Sequence, residues 1–383
     1  MAASGSVAFF AFLDAHLTRQ NCNTTSGDSV NRHPEFLSKR NRLTFCMGKG
    51  ILPANQTKNQ GAPPVHAIRF ALTLLFVSFA TLAAAESYPT HPIRLIIPFA
   101  PGGSNDVFGR VIAAQLTERL GQSVYVDNRG GAGGIIGADI AAKSAPDGYT
   151  LLLVSSAYPV SSSRPNLPYD PHKAFTPIAL MGRGPGVLAV HPGVPAHSVK
   201  ELIDLAKRKP GQLNVACAGV GSFQHMSTEM FKLLTGADVV VVQYKGGGPA
   251  MADVLAGHVE MQIGSLIQMI PHIQSGGLRA LGVTGPKRSS AIPDVPTIAE
   301  AGVPGYESTN WWGLVAPTGT PADIINRLHQ EANAVSTSAD FQQRLGKEGA
   351  EPVSMSIEEF GKFIDAETVR WAKVITERHI KLE

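Results

Sequence analysis

Three glycine-rich segments of this 383-residue chain carry the residue types that suit anion binding. They are Pro101-Gly102-Gly103-Ser104, Ala218-Gly219-Val220-Gly221-Ser222 and Lys245-Gly246-Gly247-Gly248-Pro249. Each follows a short apolar run and opens a segment of helical periodicity. The first turn of a helix holds backbone N–H groups without intrahelical partners, and the helix dipole adds partial positive charge there. Glycine lets a ligand come close to that backbone. A strand, a glycine turn and a helix start together make an anion site. In the first segment Ser104, Asn105 and Asp106 are all candidate N-caps. Lys245 is the one cation in the three turns, and two placements are open to it: facing a carboxylate, or lying in solvent while Tyr244 packs.

Other chemistries find little support. No G-x-G-x-x-G or G-x-x-x-x-G-K-[ST] motif is present, and Asp106 at the first helix start would repel a phosphate. There is no G-x-S-x-G nucleophile elbow. Ser222 and His225 stand three apart at a helix start, a spacing read here as a cap and a rim residue rather than a nucleophile and its base. The twelve histidines show neither H-x-x-x-H nor H-E-x-x-H spacing, so no metal site is expected. Cys217, before the second turn, reads as a small apolar filler.

The elements that must position these turns alternate β and α. Ile93–Ile97 is a short apolar run bounded by Pro92 and Pro98, and Tyr149–Ser155 is another; such runs are strands buried on both faces. Between them lie a helix with Val107, Phe108, Val111, Ile112, Leu116 and Leu120 at helical spacing, a short strand ending at Asp127, and a small-residue helix with Ile136, Ile140 and Ala141 as its buried stripe. This alternation predicts a parallel α/β sheet. Residues 156–172 read as a loop, and 175–190 as two strands around a glycine-rich break. The alternation then resumes, with a capping box at Ser198 and Glu201. A short helix is expected at 298–301. Trp311–Ala316 reads as a returning strand, and its two tryptophans face opposite ways. Three helices follow from 321 onward.

His66-Ala67-Ile68-Arg69, the apolar stretch 70–82 and Ala83-Ala84-Ala85 before Glu86 have the layout of a secretory signal peptide cleaved after Ala85. The apolar run is shorter than the ~20 residues a membrane span needs. Residues 1–64 are polar and without periodicity. Removing 1–85 leaves 298 residues with 25 Lys and Arg against 27 Asp and Glu, a net −2, so no basic stripe points to nucleic acid. Cys22 and Cys46 lie in the leader, which leaves Cys217 without a disulfide partner.

Taken in order, YPTHPIRLIIPFAPGGSNDVFGR, VDNRGGAGGIIGADIAAKSAPDGYTLLL, GQLNVACAGVGSFQHMSTEMFK, VQYKGGGPAMADVLAGHVEM, LRALGVTGPKRSSAIPDVPTIAEAG and WWGLVAPTGTP resemble the Bug (TctC-type) solute receptors of tripartite tricarboxylate transporters, across 87–383. The resemblance implies an α/β, two-lobed periplasmic-binding-protein (Venus flytrap) fold, each lobe a sheet flanked by helices. Residues 86–187 and 311–383 would form lobe 1, and 188–310 lobe 2. It implies no enzymatic activity, no cofactor and no metal. A small organic carboxylate would sit in the interlobe cleft of a periplasmic monomer that serves integral membrane permease subunits. Carried over residue by residue, the ligand-binding positions are Phe99, Gly102, Gly103, Ser104 and Asp106; Ser155 and Ser156; Ala218, Gly219, Gly221, Ser222 and His225; and Lys245, Gly246 and Ser265. Asp106 would orient ligand or cap the helix. The chain departs from the family pattern at Ile263-Gly264-Ser265, at Ala157–Val160 and at Cys217, all near the cleft, so ligand identity does not carry over. Two other readings compete: an α/β hydrolase using Ser222 and His225, and a ligand sensor that signals to a partner protein.

Overall fold

Ile93, Leu95, Ile96 and Ile97 are all fully buried, because the strand they form carries helices on both faces. The computed structural model describes residues 88–377 and 380–382; the expected signal peptide and the expected cleavage after Ala85 lie outside them. Residues 86–383 cluster as one unit.

The first part of the chain runs β1 (Ile93–Ile97), α1 (Ser104–Leu120), β2 (Val124–Asn128), α2 (Ile135–Ala142), β3 (Thr150–Ser155) and α3 (Ala157–Ser162). β1 lies between β2 and β3, parallel to both. Ile93, Leu95 and Ile97 pack toward Phe108, Val111, Ile112 and Leu116 of α1, and Ile96 packs on the opposite face with Ala138 and Ala141 of α2. This is the two-sided burial expected of a parallel strand.

β4 (Phe175–Val190) is one sixteen-residue strand, not two. Its first stretch pairs antiparallel with β9 (Thr309–Pro317), from Phe175↔Pro317 to Pro185↔Thr309, and the register slips between Pro177 and Ala179 and between Leu180 and Gly182. Its last five residues pair with β7 (Met261–Ser265), and Val187–Val190 also pair with β8 (Arg279–Val283). Gly182, Gly184 and Gly186 continue the strand rather than end it, and each lies against a neighbour that leaves little room for a side chain: Phe108, Ala350 and Phe223 respectively. β4 thus carries the chain from one half of the sheet into the other.

The second half adds α4 (Val199–Arg208), β5 (Asn214–Cys217), α5 (Phe223–Thr235), β6 (Val240–Gln243), α6 (Gly247–Leu255) and α7 (Leu266–Gln274). β5 is parallel to β6 and β7. The chain returns through β9 and ends in α8 (Ala322–Ser336), α9 (Ala339–Lys347), the two-residue β10 (Glu351–Pro352) and α10 (Ile357–Glu377). The strand order is β2-β1-β3-β9-β4-β7-β5-β6, with β8 and β10 also on β4.

The sheet is mixed rather than parallel, since β4 and β9 run against their neighbours. Residues 157–162, expected as loop, form α3. Ile136 is 47% exposed, and α2 buries Gly137, Ala138 and Ala141 instead. Residues 298–301 make a hydrogen-bonded turn, with the Ala301 N–H donating to Thr297 O, and not a helix. The Ser198 cap holds: its Oγ accepts from Glu201 N at 3.1 Å. Glu201 reaches back one residue further, to His197 N, at 2.8 Å.

Candidate functional site

The turns entering α1, α5 and α6 meet at one place. The Ala100 N–H donates to Lys245 O at 3.3 Å, joining the two halves of the sheet backbone to backbone. A methyl group on Gly103 would lie 3.1 Å from Gly247 N, and one on Gly246 2.6 Å from Ala100 N. Glycine is required there because two main chains touch, one from each half.

Between these turns lies a cavity of about 20 Å³, room for little more than one water molecule. Its lining is Phe99, Gly103, Ser104, Asn105, Ser155, Ala157, Ala218, Ser222, Phe223, Gln224, Gly247 and Asn310. No charged side chain is among them. What faces the cavity instead is helix ends: the start of α1 (Gly103–Asn105), of α5 (Ser222–Gln224) and of α6 (Gly247), with Ala157 from the short α3. Neither α1 nor α6 has a side-chain cap, so the N–H groups of their first turns are not met by a protein hydroxyl or carboxylate at the N-cap. An anion here is met by partial positive charge from several backbones and by no counter-cation.

Ser104, Asn105 and Asp106 were the expected caps of α1. The N-cap is Gly103, because all three side chains turn elsewhere or stay free. Asp106 Oδ2 accepts from Gly102 N and from Arg110 Nε, each at 3.0 Å, and Oδ1 accepts from Asn128 Nδ2 at 2.9 Å. Asp106 therefore locks the turn and does not line the cavity, and it occupies the Gly102 N–H expected for ligand. Burial alone would raise its pKa, but the bonds from Arg110, Gly102 and Asn128 outweigh that and hold the carboxyl below its ordinary range. Asn105 Oδ1 accepts from Trp312 Nε1 at 2.8 Å, and its Nδ2 donates to Ser155 Oγ at 3.3 Å.

Asn310 ties the cavity to both halves. Its Oδ1 accepts from Ser156 Oγ at 2.6 Å and from Trp311 N at 3.0 Å; its Nδ2 donates to Ser265 Oγ at 3.0 Å. Ser156 and Ser265 are the N-cap residues of α3 and α7, yet neither caps its own helix, because their hydroxyls are engaged by Asn310.

Ser222 Oγ accepts from the His225 backbone N–H at 3.2 Å, and His225 Nδ1 accepts from Gly221 N at 3.1 Å. The imidazole braces the turn instead of facing the hydroxyl, so no nucleophile–base pair exists. Burial lowers the His225 pKa, which favours the neutral ring that can accept. Cys217 is buried beside Thr228, and burial pushes its thiol up to about 12.

Of the expected positions, Phe99, Gly103, Ser104, Ser155, Ala218 and Ser222 line the cavity. Ser156 and Ser265 reach it through Asn310, and Gly221 and His225 brace the second turn. Gly102 and Asp106 form the loop lock, Gly219 lies behind the second turn against Tyr244 O, and Gly246 caps α6. Lys245 has an exposed side chain and contributes its carbonyl. The ligand positions read from the sequence leave out six lining residues: Asn105, Ala157, Phe223, Gln224, Gly247 and Asn310. Gln224 stands two residues after the Ser222 cap, and that spacing was a usable signal. Nothing local marks Asn310, which arrives from a strand more than 150 residues beyond Ser155.

A family profile described as the tripartite tricarboxylate transporter family receptor matches residues 108–380. Protein BugT of Bordetella pertussis (strain Tohama I) is 41% identical over 315 residues, 81% of this chain and 97% of that protein. Among solved structures, R. palustris Rpa4515 with adipate is 38% identical with a TM-score of 0.74, covering 76% of this chain and 98% of that one. MatC from Rhodopseudomonas palustris with bound malate is 31% identical with a TM-score of 0.70, covering 75% and 100%.

Proposed function

Because the chain belongs to the tripartite tricarboxylate transporter receptor family, we propose that it binds a small organic carboxylate in the cavity between α1, α5 and α6 and passes it to membrane permease subunits. Solved relatives include a periplasmic transporter and the periplasmic binding protein BugD, and the chain is a receptor of this family and not an enzyme. In this reading residues 1–85 are the export leader, and the mature protein acts in the periplasm as a monomer without cofactor. The moving bodies are residues 86–187 with 311–383, and 188–310.

The observation that carries the reading is the set of helix starts opening on one cavity that holds no charged side chain. A carboxylate needs several donors, and each charge-assisted hydrogen bond adds roughly 1.5–3 kcal/mol; three or four suffice for micromolar affinity. Related proteins have been solved with adipate and with malate, which supports a carboxylate for this one. The cavity as it stands is smaller than any such acid, so entry requires the two halves to separate. Rotation about β4 and β9, the strands that cross between them, would open it.

A thermal-shift screen of the purified protein against mono-, di- and tricarboxylates, amino acids and aromatic acids tests this. A millimolar ligand of micromolar affinity stabilises by about 4 kcal/mol. Melts that move with a neutral sugar or a metal ion and with no carboxylate sink the reading.

A further inference from the structure

Two glutamine amides beside Gly247 remain outside the carboxylate reading. Gln224, the second residue of α5, is 4% exposed and lines the cavity, and its amide has no hydrogen bond to the protein among the described residues. Gln268, the third residue of α7, is 5% exposed. Its Nε2 donates to Gly247 O at 2.8 Å, which fixes the orientation of the amide, and its Oε1 is buried without a partner. The two converge: a methyl placed on Gly247 would lie 3.0 Å from Gln268 Oε1, 3.2 Å from Gln224 Nε2 and 3.1 Å from Gly103 Cα in the opposite half. One donor and one acceptor thus meet beside the cavity wall, opposite the first turn of α1.

An unpaired buried acceptor is costly, and a carboxylate cannot relieve it because a carboxylate brings only lone pairs. A keto oxygen satisfies Gln224 and leaves Gln268 bare. An ammonium satisfies Gln268 but meets the positive ends of α1, α5 and α6. A hydroxyl does both jobs, donating to Gln268 Oε1 while accepting from Gln224 Nε2. We infer that Gln224 and Gln268 form a subsite for a ligand hydroxyl group, so that the ligand class is the hydroxycarboxylic acids. The inference rests on the carboxylate reading above and narrows it.

The test compares acids that share a skeleton and differ at one carbon, by calorimetric titration of the purified protein. On four carbons these are malate, succinate, oxaloacetate and aspartate; lactate, propionate, pyruvate and alanine, and the 2-substituted adipates, repeat the comparison at other lengths. In whichever skeleton binds, the hydroxy acid should bind at least tenfold more tightly than its deoxy, keto and amino partners, and its two enantiomers should differ. Gln224→Leu and Gln268→Leu should erase that preference, so that the hydroxy and deoxy acids of one skeleton bind each variant within about threefold of each other. Equal or tighter binding of a deoxy or amino acid by the unaltered protein overturns the subsite and leaves the carboxylate reading standing. Failure of every acid in every skeleton overturns both. The comparison on the unaltered protein decides the matter even if a variant does not fold.

Discussion

Asn310 Nδ2 donates to Ser265 Oγ at 3.0 Å, joining the start of β9 to the N-cap of α7. With Ser156 Oγ held on its other side at 2.6 Å, the amide spans the starts of two helices, α3 after β3 and α7 after β7. Asn310→Ala removes both of these bonds and the one that Trp311 N donates to Oδ1, and it leaves two buried serine hydroxyls without their Asn310 partner. The expected cost is about 1–3 kcal/mol, read as a lower urea midpoint at unchanged m-value. Ligand affinity should fall as well, because Asn310 lines the cavity. A variant as stable and as tight-binding as the parent contradicts this placement.

Gly248 offers a wedge. A methyl there would run into the Pro101 carbonyl, a backbone atom of the opposite half that a rotamer change cannot move. Gly248→Ala should therefore keep the halves apart. Neither core is touched, and alanine is the better helix former. The expected result is a melting temperature of the ligand-free protein within a few degrees of the parent, with affinity reduced at least tenfold. An unchanged affinity means that ligand binding does not need this contact.

The Asp106 carboxyl titrates below its ordinary value of 3.8, held there by Arg110, Gly102 and Asn128 against the opposing pull of burial. A depressed carboxyl contributes stability above its unfolded pKa and loses it as pH falls through the folded one. Unfolding midpoints measured between pH 6 and pH 3 should fall in the parent and fall less steeply in Asp106→Asn. That variant should also be weaker at neutral pH. Parallel pH profiles would remove Asp106 from the loop lock.

Much of this architecture is legible in local sequence. The buried runs at 93–97 and 150–155, the glycine turns and the Ser198 cap each have causes within a few residues. Six of the twelve cavity residues followed from the turns and the resemblance. What escaped depends on contacts distant in sequence. β4 reads as two strands because its glycines look like breaks, and only the folded chain shows them continuing the strand against Phe108, Ala350 and Phe223. Asp106 reads equally as a ligand contact or a cap until Asn128, 22 residues on, claims its other oxygen. Gln268 and Asn310 carry no motif at all, since what they do is set by Gly247 and by Ser156 and Ser265.

His225 gives a second pH effect with the same sign in a higher window. Its ring is held neutral by burial and accepts the Gly221 N–H. Stability from the neutral ring is present in full above the unfolded value of 6.5 and is lost as pH falls through the lowered folded pKa. Protonation also removes the acceptor that braces the second turn. Affinity measured from pH 7.5 to pH 5 should therefore weaken toward acid, and His225→Gln should flatten that dependence. Acid weakening that persists in the variant assigns it to another group.

Trp311 and Trp312 are neighbours with opposite obligations. Trp312 Nε1 donates to Asn105 Oδ1 at 2.8 Å, and its ring stacks on Phe108 with centroids 4.6 Å apart. Trp311 packs edge-on against Phe360 and Phe363, and its Nε1 is buried without a partner. Trp→Phe shrinks the side chain at both sites, so each loses some packing. Only Trp312→Phe also leaves Asn105 Oδ1, in the cavity wall, without its indole donor. It should cost about 1 kcal/mol more than Trp311→Phe by denaturant titration. It should also weaken ligand binding where Trp311→Phe does not. If the two variants bind equally well, the hold of Trp312 on Asn105 does not bear on the site.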